Sequence, residues 1–310
     1  MSRWISVGAV VVAVLLLVAG AHADDARQLL ESRDSLYNNI YVYREGPYVS
    51  MTFGYNQHLY EESLFNPLDD RELPVTYTRF MTVGLAYPKK VSSILEIGFG
   101  GGRTAWYLHR FLPDTPVTSV ELDPMVVQLA DKYFGIKQEP NFNVVQQDGR
   151  VFLTSSPRLY DLILIDAYRG PFVPFQLLTK QFYQIVKQHL SEDGVVVQNI
   201  EPTTMLFDSA VNTLHAVFAN LDLYPAQGNI VVVAYDGKPR SDQALQAIAA
   251  ERQAALNLRY DLAQMLGARR PLSTEGALVD PKASVLTDDF APVEALKAIE
   301  KHNRKWAAKK

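Results

Sequence analysis

The chain has 310 residues, of which 48% are hydrophobic and 21% are charged, a composition typical of a globular protein with one large or two small domains. Its formal net charge is −4, so no nucleic-acid-binding surface is implied. Because the sequence contains no cysteine, disulfide bonds, thiolate metal sites and a cysteine nucleophile are excluded. The six histidines show no metal-ligand spacing, and no metal is expected.

Residues 1–23 are predicted to be a secretory signal peptide rather than part of the fold. Arg3 precedes an apolar run over residues 5–18, and an Ala-His-Ala cleavage site follows at residues 21–23. The run is short for a membrane-spanning helix, which needs about 20 apolar residues, so an uncleaved membrane anchor is the alternative. In both cases we expect export to the periplasm or cell envelope, since the basic end stays inside. Without use of this segment, the protein would be cytoplasmic.

Residues 24–75 are predicted to form a small N-terminal antiparallel β domain. Residues 26–35 are interpreted as a short helix or linker. The segments that follow alternate in polarity and are separated by turn-forming glycine and proline. The predicted strands are 37–43, 48–53 and 58–64.

Residues 76–240 alternate between predicted strands and helices, which is typical of a doubly wound α/β sheet. A helix from Pro74 to about Tyr87 leads into this part. Segment 160–166 is apolar on both faces, as a central parallel strand is. The strands are expected at 91–97, 117–122, 142–146, 160–166, 194–199, 221–224 and 229–235, and the helices at 103–111, 124–134, 179–190 and 207–219.

Residues 241–310 are predicted to be a C-terminal helical extension. Residues 241–266 are rich in alanine and glutamine and predict a helix. A loop that contains several prolines follows, and a last helix is expected from about Val293. The sequence shows no internal repeat and no low-complexity tract.

The most informative segment is a glycine-rich turn after the first strand of the alternating part. Gly98, Gly100 and Gly102 lie in this turn, and the next strand ends at Glu121. Glycine lets the backbone turn tightly and approach a ligand, and the following helix offers free N–H groups. An acid at the end of the next strand can bind both hydroxyls of a ribose. The unit therefore predicts a nucleoside site.

Glu96 stands two residues before the first glycine and bears on which nucleoside binds. A dinucleotide site needs G-x-G-x-x-G, whereas this turn reads G-x-G-x-G. A carboxylate at this place repels pyrophosphate and suits a ligand with positive charge. The spacing resembles the first motif of the S-adenosylmethionine-binding, Rossmann-like fold. A glycine turn in an unrelated α/β protein is the alternative.

Two further acids, Asp148 and Asp166, also follow predicted strands. In doubly wound sheets, ligands bind at the carboxyl ends of the strands. A single aspartate in such a position is often a turn or N-cap residue. Together with Glu121, however, these acids surround one glycine turn, and the group favours a shared ligand site.

The combined motifs resemble the spermidine synthases, which are polyamine aminopropyltransferases, over about residues 36–200. The tail around residues 286–294 looks like a divergent spermidine-synthase-like branch of that family. The resemblance implies a donor, decarboxylated S-adenosylmethionine, and a small-molecule amine acceptor such as putrescine, giving spermidine and methylthioadenosine. It also implies a homodimer. The motifs are the glycine turn with Glu96, Val120-Glu121-Leu122-Asp123, Asp148-Gly149-Arg150, Tyr160-Asp161-Leu162-Ile163 with Asp166, and Phe182-Tyr183.

The resemblance implies a set of contacts to the donor. Glu121 would bind the ribose hydroxyls, and Asp148 with the backbone of Gly149 would meet the adenine edge. Gln57 of the hairpin domain would also contact the donor. Glu96 and the three glycines complete the predicted donor site.

The resemblance also implies an acceptor site around Asp166, the expected catalytic residue, which would orient the reacting amine and accept or stabilise its proton. Tyr77 would form the substrate gate, and Tyr168 and Arg169 would line the same site. The family loop usually reads Asp-Ser-x-Asp, and here Arg169 occupies the place of the second acid. An arginine repels a protonated diamine at close range, or instead recognises an acceptor that carries a carboxylate.

Two other functions stay open from the sequence. A methyltransferase that uses intact S-adenosylmethionine would share the scaffold, although Glu96 repels the carboxylate of that donor. The second is a non-catalytic envelope protein that binds a polyamine or a nucleoside. Arg169 and the export signal favour it, because the decarboxylated donor is made in the cytoplasm.

Overall fold

The structure is a computed structural model that describes residues 27–55, 57–137, 139–272 and 278–289. Its smaller sheet is antiparallel and holds four strands in chain order. The predicted signal peptide and the predicted helix from Val293 lie outside the described residues. The four strands are β1 (Gln28–Asp34), β2 (Asn39–Glu45), β3 (Tyr48–Tyr55) and β4 (His58–Phe65).

The larger sheet has eight strands, and its central part is parallel. The strands are β5 (Ile94–Ile97), β6 (Val117–Glu121), β7 (Phe142–Gln146), β8 (Tyr160–Ile165), β9 (Leu190–Ile200), β10 (Asn220–Ala226), β11 (Asn229–Tyr235) and β12 (Arg270–Pro271). Their spatial order is β12-β10-β11-β9-β8-β5-β6-β7, and each neighbouring pair from β9 through β11 and β10 to β12 is antiparallel. The mixed α/β fold with a mostly parallel sheet is therefore confirmed.

Helices cover both faces of the larger sheet, because each strand buries apolar side chains on either side. Within the described ranges, none of the helices is both long and apolar enough to cross a membrane. The α-helices are α1 (Thr76–Met81), α2 (Arg103–Phe111), α3 (Pro124–Tyr133), α4 (Gly149–Ser155), α5 (Lys180–Gln188), α6 (Phe207–His215), α7 (Asp242–Leu256) and α8 (Leu262–Leu266); Thr82–Ala86 and Phe175–Leu177 form 3₁₀ turns.

Two sequence predictions need correction. Residues 26–35 are not a helix or linker, since β1 occupies Gln28–Asp34 and pairs with β2 along its length. The single helix predicted over residues 241–266 is instead α7 followed by α8. The break lies at Asn257, which ends α7 in the left-handed conformation with φ +50°.

The two sheets are joined by contacts from the β1–β2 turn to the start of α3. Asp123, which is fully buried, accepts hydrogen bonds from the Ser35 hydroxyl and from the Asn38 side-chain amide over 3.1 Å. Its other oxygen accepts from the backbone N–H of Met125 and caps α3. One buried carboxylate therefore fixes both the helix and the turn above it.

Candidate active site

A cavity of about 920 Å³ lies at the carboxyl ends of β5, β6 and β8. The hairpin strand β4 and the segment after β9 form its other walls. This is the edge of the sheet where a doubly wound fold binds its ligands. The sequence-predicted site residues that line the cavity are Tyr77, Glu96, Gly98, Gly100, Glu121, Asp148, Gly149, Asp166, Tyr168 and Arg169.

The glycine turn is held in a backbone conformation that only glycine adopts easily. Gly98, Gly100 and Gly102 have φ values of +90°, +52° and +68°. A Cβ atom on Gly98 would lie 2.3 Å from the carbonyl oxygen of Asp166, closer than any real contact. The turn therefore lets β5 end directly against the residue that follows β8. Gly102 is the N-cap of α2 and does not line the cavity.

Glu121 is tied to this turn by its carboxylate. One oxygen accepts from the backbone N–H of Phe99 over 2.9 Å, and the other accepts from that of Asp123 over 2.9 Å. Burial raises the pKa of Glu121, and these backbone hydrogen bonds oppose the rise. The acid at the end of β6 is thus pre-positioned beside the glycine turn, where the sequence places a ribose.

Glu96 lies behind the turn and is only 2% exposed. Its carboxylate accepts a hydrogen bond from the Ser119 hydroxyl over 2.6 Å. Burial raises its pKa to about 8, and the negative charges of Asp166 and Glu121 add to the rise, whereas the bond from Ser119 opposes it. Glu96 is therefore largely protonated at neutral pH in the absence of a bound cation.

Asp148 both caps a helix and lines the cavity. One oxygen of its carboxylate caps α4 by accepting from the backbone N–H groups of Arg150 and Val151 over 2.9 and 3.0 Å. The residue also lines the cavity beside Gly149. A Cβ on Gly149 would lie 2.4 Å from Ile97 Cγ2, which explains the need for glycine there.

Asp166 lies at the end of β8 and is held by an amide from the neighbouring strand. Asn199 Nδ2 donates to Asp166 Oδ1 over 3.0 Å, and Asn199 Oδ1 accepts from Asn229 Nδ2 over 2.9 Å. Burial raises the pKa of Asp166 to about 6, although hydrogen bonding to Asn199 and Tyr77 lowers it in part. The carboxylate is thus charged at neutral pH and fixed in direction.

The predicted substrate residues surround Asp166 from the loop after β8 and from α1. The Tyr168 hydroxyl donates to the backbone carbonyl of Asn199 and accepts from the backbone N–H of Glu201, both over 3.1 Å. Burial, together with the charge of Asp166, raises the pKa of Tyr77 well above its usual value. Arg169 also lines the cavity, but its side chain is exposed.

The structure does not bring Gln57 to this cavity. Gln57 occupies the turn between β3 and β4 with φ +66°, is exposed, and is absent from the cavity wall. The donor contact expected of Gln57 therefore needs correction, because the chain reversal leaves this residue at the surface. In the tail, Asp288 forms an ion pair with Arg150 and accepts a hydrogen bond from the Thr179 hydroxyl.

Sequence reasoning missed three polar residues of the cavity region: Glu62, Asn199 and Glu201. Asn199 and Glu201 lie at the carboxyl end of β9, so the rule that found Asp166 also applies to them. Glu62 and Glu201 line the cavity. Nothing in the local sequence separates Glu62 from its exposed neighbour Glu61.

Residues 76–227 match the family model described as the spermine/spermidine synthase domain. A polyamine aminopropyltransferase from Vibrio vulnificus is 30% identical over 276 residues, which cover 87% of this chain and 91% of that protein. These matches and the shared fold define the chain as a transferase. The chain belongs to the spermine/spermidine synthase family of transferases.

Solved structures agree on the fold. Two spermidine synthase structures, one from Thermotoga maritima and one in complex with the transition state analogue AdoDATO, each have a TM-score of 0.64 at 20% identity; both matches cover 78% of this chain and 84% of theirs. Human methyltransferase-like protein 13, solved in complex with SAH, has a TM-score of 0.53 at 23% identity, covering 66% of this chain and 97% of that chain. The fold is therefore shared by aminopropyl-transfer and methyl-transfer proteins.

Proposed function

We propose that the protein transfers the aminopropyl group of decarboxylated S-adenosylmethionine to an amine and releases methylthioadenosine. The observation that carries this proposal is the convergence of four carboxylates, Glu62, Glu96, Glu121 and Asp166, on one cavity. The donor is a sulfonium that also bears an ammonium group, and the acceptor is a polycation. A cavity with acidic walls concentrates and stabilises such ligands.

The donor half of the proposal uses the glycine turn. The ribose hydroxyls would lie against Glu121, and the adenine edge against Asp148 and Gly149. The AdoDATO complex of the related synthase supports this class of donor. The decarboxylated donor lacks the carboxylate of S-adenosylmethionine, and the charged carboxylate of Asp166 beside the turn would repel that group.

The reaction we propose is a direct substitution at carbon. The lone pair of the acceptor amine forms a bond to the aminopropyl carbon next to sulfur. The carbon–sulfur bond breaks with its electron pair going to sulfur, which gives neutral methylthioadenosine. The nitrogen becomes a substituted ammonium and loses a proton. Asp166, charged and fixed by Asn199, orients the amine and accepts or stabilises this proton.

Putrescine, with spermidine as the product, is the acceptor pair we propose. The family membership supports it, and Asp166 can orient the end that reacts as the neutral amine and accept or stabilise the proton that it loses. Arg169 stands where the family carries a second acid, but its exposed guanidinium is screened by solvent, which weakens its repulsion of a diamine.

Calorimetric titration of residues 24–310 with decarboxylated S-adenosylmethionine and with S-adenosylmethionine tests the donor. A methylthioadenosine assay with putrescine and other amines tests the reaction. We expect tighter binding of the decarboxylated nucleoside and amine-dependent release of methylthioadenosine. Tighter binding of the intact nucleoside, or no release with any amine, would contradict the proposal.

Methyl transfer is a second candidate, favoured by one specific observation. Glu96 has a pKa of about 8 and is therefore mostly neutral at pH 7. A neutral Glu96 repels the carboxylate of intact S-adenosylmethionine less than a charged one does. The likeness to human methyltransferase-like protein 13 supports the same reading. The titration described above separates the two donors.

Export is a separate proposal that depends on residues 1–23. The basic start, short apolar run and cleavage site support secretion, with anchoring as the alternative. N-terminal sequencing of the protein recovered from a cell-envelope fraction tests it. A start at Asp24 fits cleavage, whereas an intact Met1 in the membrane fraction fits an anchor. Recovery in the cytoplasm alone would contradict export.

A further inference from the structure

Glu62 occupies an irregular position in the hairpin wall of the cavity. Met51 pairs with Ser63 and Thr52 pairs with Glu61, so Glu62 is the extra residue of a bulge in β4. In a regular strand, neighbouring side chains point to opposite faces. At this bulge, Glu62 and Ser63 both line the cavity. The bulge therefore directs the Glu62 side chain toward the cavity.

The bulge is anchored to the glycine turn. The Ser63 hydroxyl accepts from the backbone N–H of Gly101 over 2.7 Å and donates to the backbone carbonyl of Glu62 over 2.7 Å. A Cβ on Gly101 would lie 2.8 Å from Ser63 Cβ, which shows how closely the two segments approach. The position of Glu62 is thus fixed relative to the nucleoside-binding turn.

One oxygen of the Glu62 carboxylate lacks the hydrogen-bond partner that a buried acid needs. Its Oε1 is buried and has no hydrogen-bond partner among the described residues. Burial raises its pKa well above the usual value, and the charges of Asp166, Glu121 and Glu201 add to the rise. A buried, unpaired carboxylate is costly unless a cation joins it. Its surroundings in this cavity supply negative charge instead.

We propose that Glu62 binds a primary ammonium group of a substrate and thereby sets the preference of the cavity for amine-bearing ligands. This inference rests on the proposed function. The ammonium belongs either to the aminopropyl arm of the donor or to the acceptor amine. An alkylammonium has three N–H donors, which suits a site where the carboxylates of Glu62 and Asp166 face one cavity.

The test compares Glu62→Gln with Glu61→Gln. Glu61 is adjacent, exposed and outside the cavity wall, so its substitution controls for the loss of one charge from β4. Binding is measured by calorimetry for methylthioadenosine, which lacks the amine, and for decarboxylated S-adenosylmethionine. The KM for putrescine is measured by methylthioadenosine release.

If Glu62 binds the donor ammonium, E62Q weakens binding of the decarboxylated nucleoside about 10- to 100-fold and leaves methylthioadenosine binding unchanged. If it binds the acceptor, E62Q raises the KM for putrescine by a similar factor at unchanged donor affinity. Unchanged binding of methylthioadenosine also shows that the variant is folded. E61Q is expected to behave like the wild type.

E62Q that matches the wild type in donor affinity and in KM would overturn the role of Glu62 while leaving the proposed function in place. An equal loss in E61Q would also overturn it, because the effect would then come from general charge. Wild-type protein that neither prefers the decarboxylated donor nor releases methylthioadenosine would overturn the proposed function, and the role of Glu62 with it.

Discussion

Asn199 donates a hydrogen bond from its side-chain amide to the Asp166 carboxylate over 3.0 Å, across the junction of β8 and β9. Asn199 is only 2% exposed, and its own amide oxygen is held by Asn229. Two successive side-chain hydrogen bonds, from Asn229 in β11 to Asn199 and from Asn199 to Asp166, therefore set the direction of the Asp166 carboxylate. This relationship makes Asn199 a positioning residue for the reaction we propose.

Replacing Asn199 with alanine should lower kcat about 10-fold or more, because Asp166 loses a directed hydrogen bond to its charged form. Donor affinity should change little, since Asn199 does not contact the glycine turn. Removing a bond that lowers the pKa should also move the acidic limb of the pH–rate profile upward. Asn229→Ala is the milder companion variant. An N199A profile identical to that of the wild type would contradict this role.

The pH dependence of kcat/KM should report the ionisation of Asp166. Its pKa in the folded protein is about 6, so activity should fall as the pH drops below this value and the carboxylate gains a proton. The acceptor amine also titrates at higher pH, so rates are compared at equal concentrations of the neutral amine. Asp166→Asn should remove most activity at every pH. A flat wild-type profile between pH 5 and pH 7 would argue against Asp166 as the group that acts on the amine.

Stability should respond to the titration of Glu96. Its folded pKa of about 8 exceeds its ordinary value of 4.5, so its favourable contribution is fully present below pH 4.5 and is lost as the pH rises through 8. Glu96→Gln should therefore raise the free energy of unfolding at pH 9 by on the order of 2 kcal/mol, with a smaller gain at pH 6. Urea unfolding at both values measures this.

The exposed Glu192→Gln provides the matched control for Glu96. It removes an exposed carboxylate from β9 of the same sheet and leaves the buried interior unchanged. We expect the same stability for E192Q and wild type at both pH values. Similar gains in the two variants would mean that net charge, rather than burial of Glu96, sets the pH dependence.

Gly98→Ala should disrupt the site more than a strained backbone alone does. The added methyl would collide with the Asp166 carbonyl at 2.3 Å, and φ +90° is unfavourable for alanine. Gly228 has φ +92°, but a Cβ atom at this position would meet nothing within 4 Å. Gly228→Ala therefore measures the loss of stability that comes from backbone strain alone. We expect G228A to lose about 1–3 kcal/mol and G98A to lose more, together with nucleoside binding.

Thermal unfolding and calorimetry with methylthioadenosine measure the two effects in G98A and G228A. Equal losses of stability, with binding retained in both variants, would show that the turn tolerates a side chain at position 98. The close approach of the turn to Asp166 would then not matter for the site.

The parallel part of the fold was readable from the sequence because its central strands are apolar on both faces and because α3, α4 and α5 begin at side-chain caps. The predicted bounds of α2, β7 and residues 160–165 of β8 match the structure closely. The missed strand β1 has the polar sequence QLLESRD and is mostly exposed. An edge strand of this kind acquires its form from pairing with β2, which local patterns do not reveal.

Several acids of the candidate site were readable because they lie at or just after the carboxyl end of a strand. Glu121, Asp148 and Asp166 obey that rule, and all three line the cavity. Gln57 and Glu62 depend instead on how the β3–β4 hairpin turns and where β4 is interrupted. A bulge changes which side chains face inward without leaving a periodic signal, so the sequence did not indicate that Glu62 lines the cavity.

Because of the bulge in β4, a deletion of one residue is enough to change the side chains on this wall of the cavity. Deleting the codon for residue 62 would restore regular pairing between β3 and β4. The remaining residue pairs of the hairpin would be unchanged. The inward carboxylate would disappear in one step, while the glycine turn, Glu121 and Asp166 would keep their places. Under the role proposed for Glu62, a change in strand length alone would alter ligand preference between descendants and would leave the residues proposed for the reaction in place.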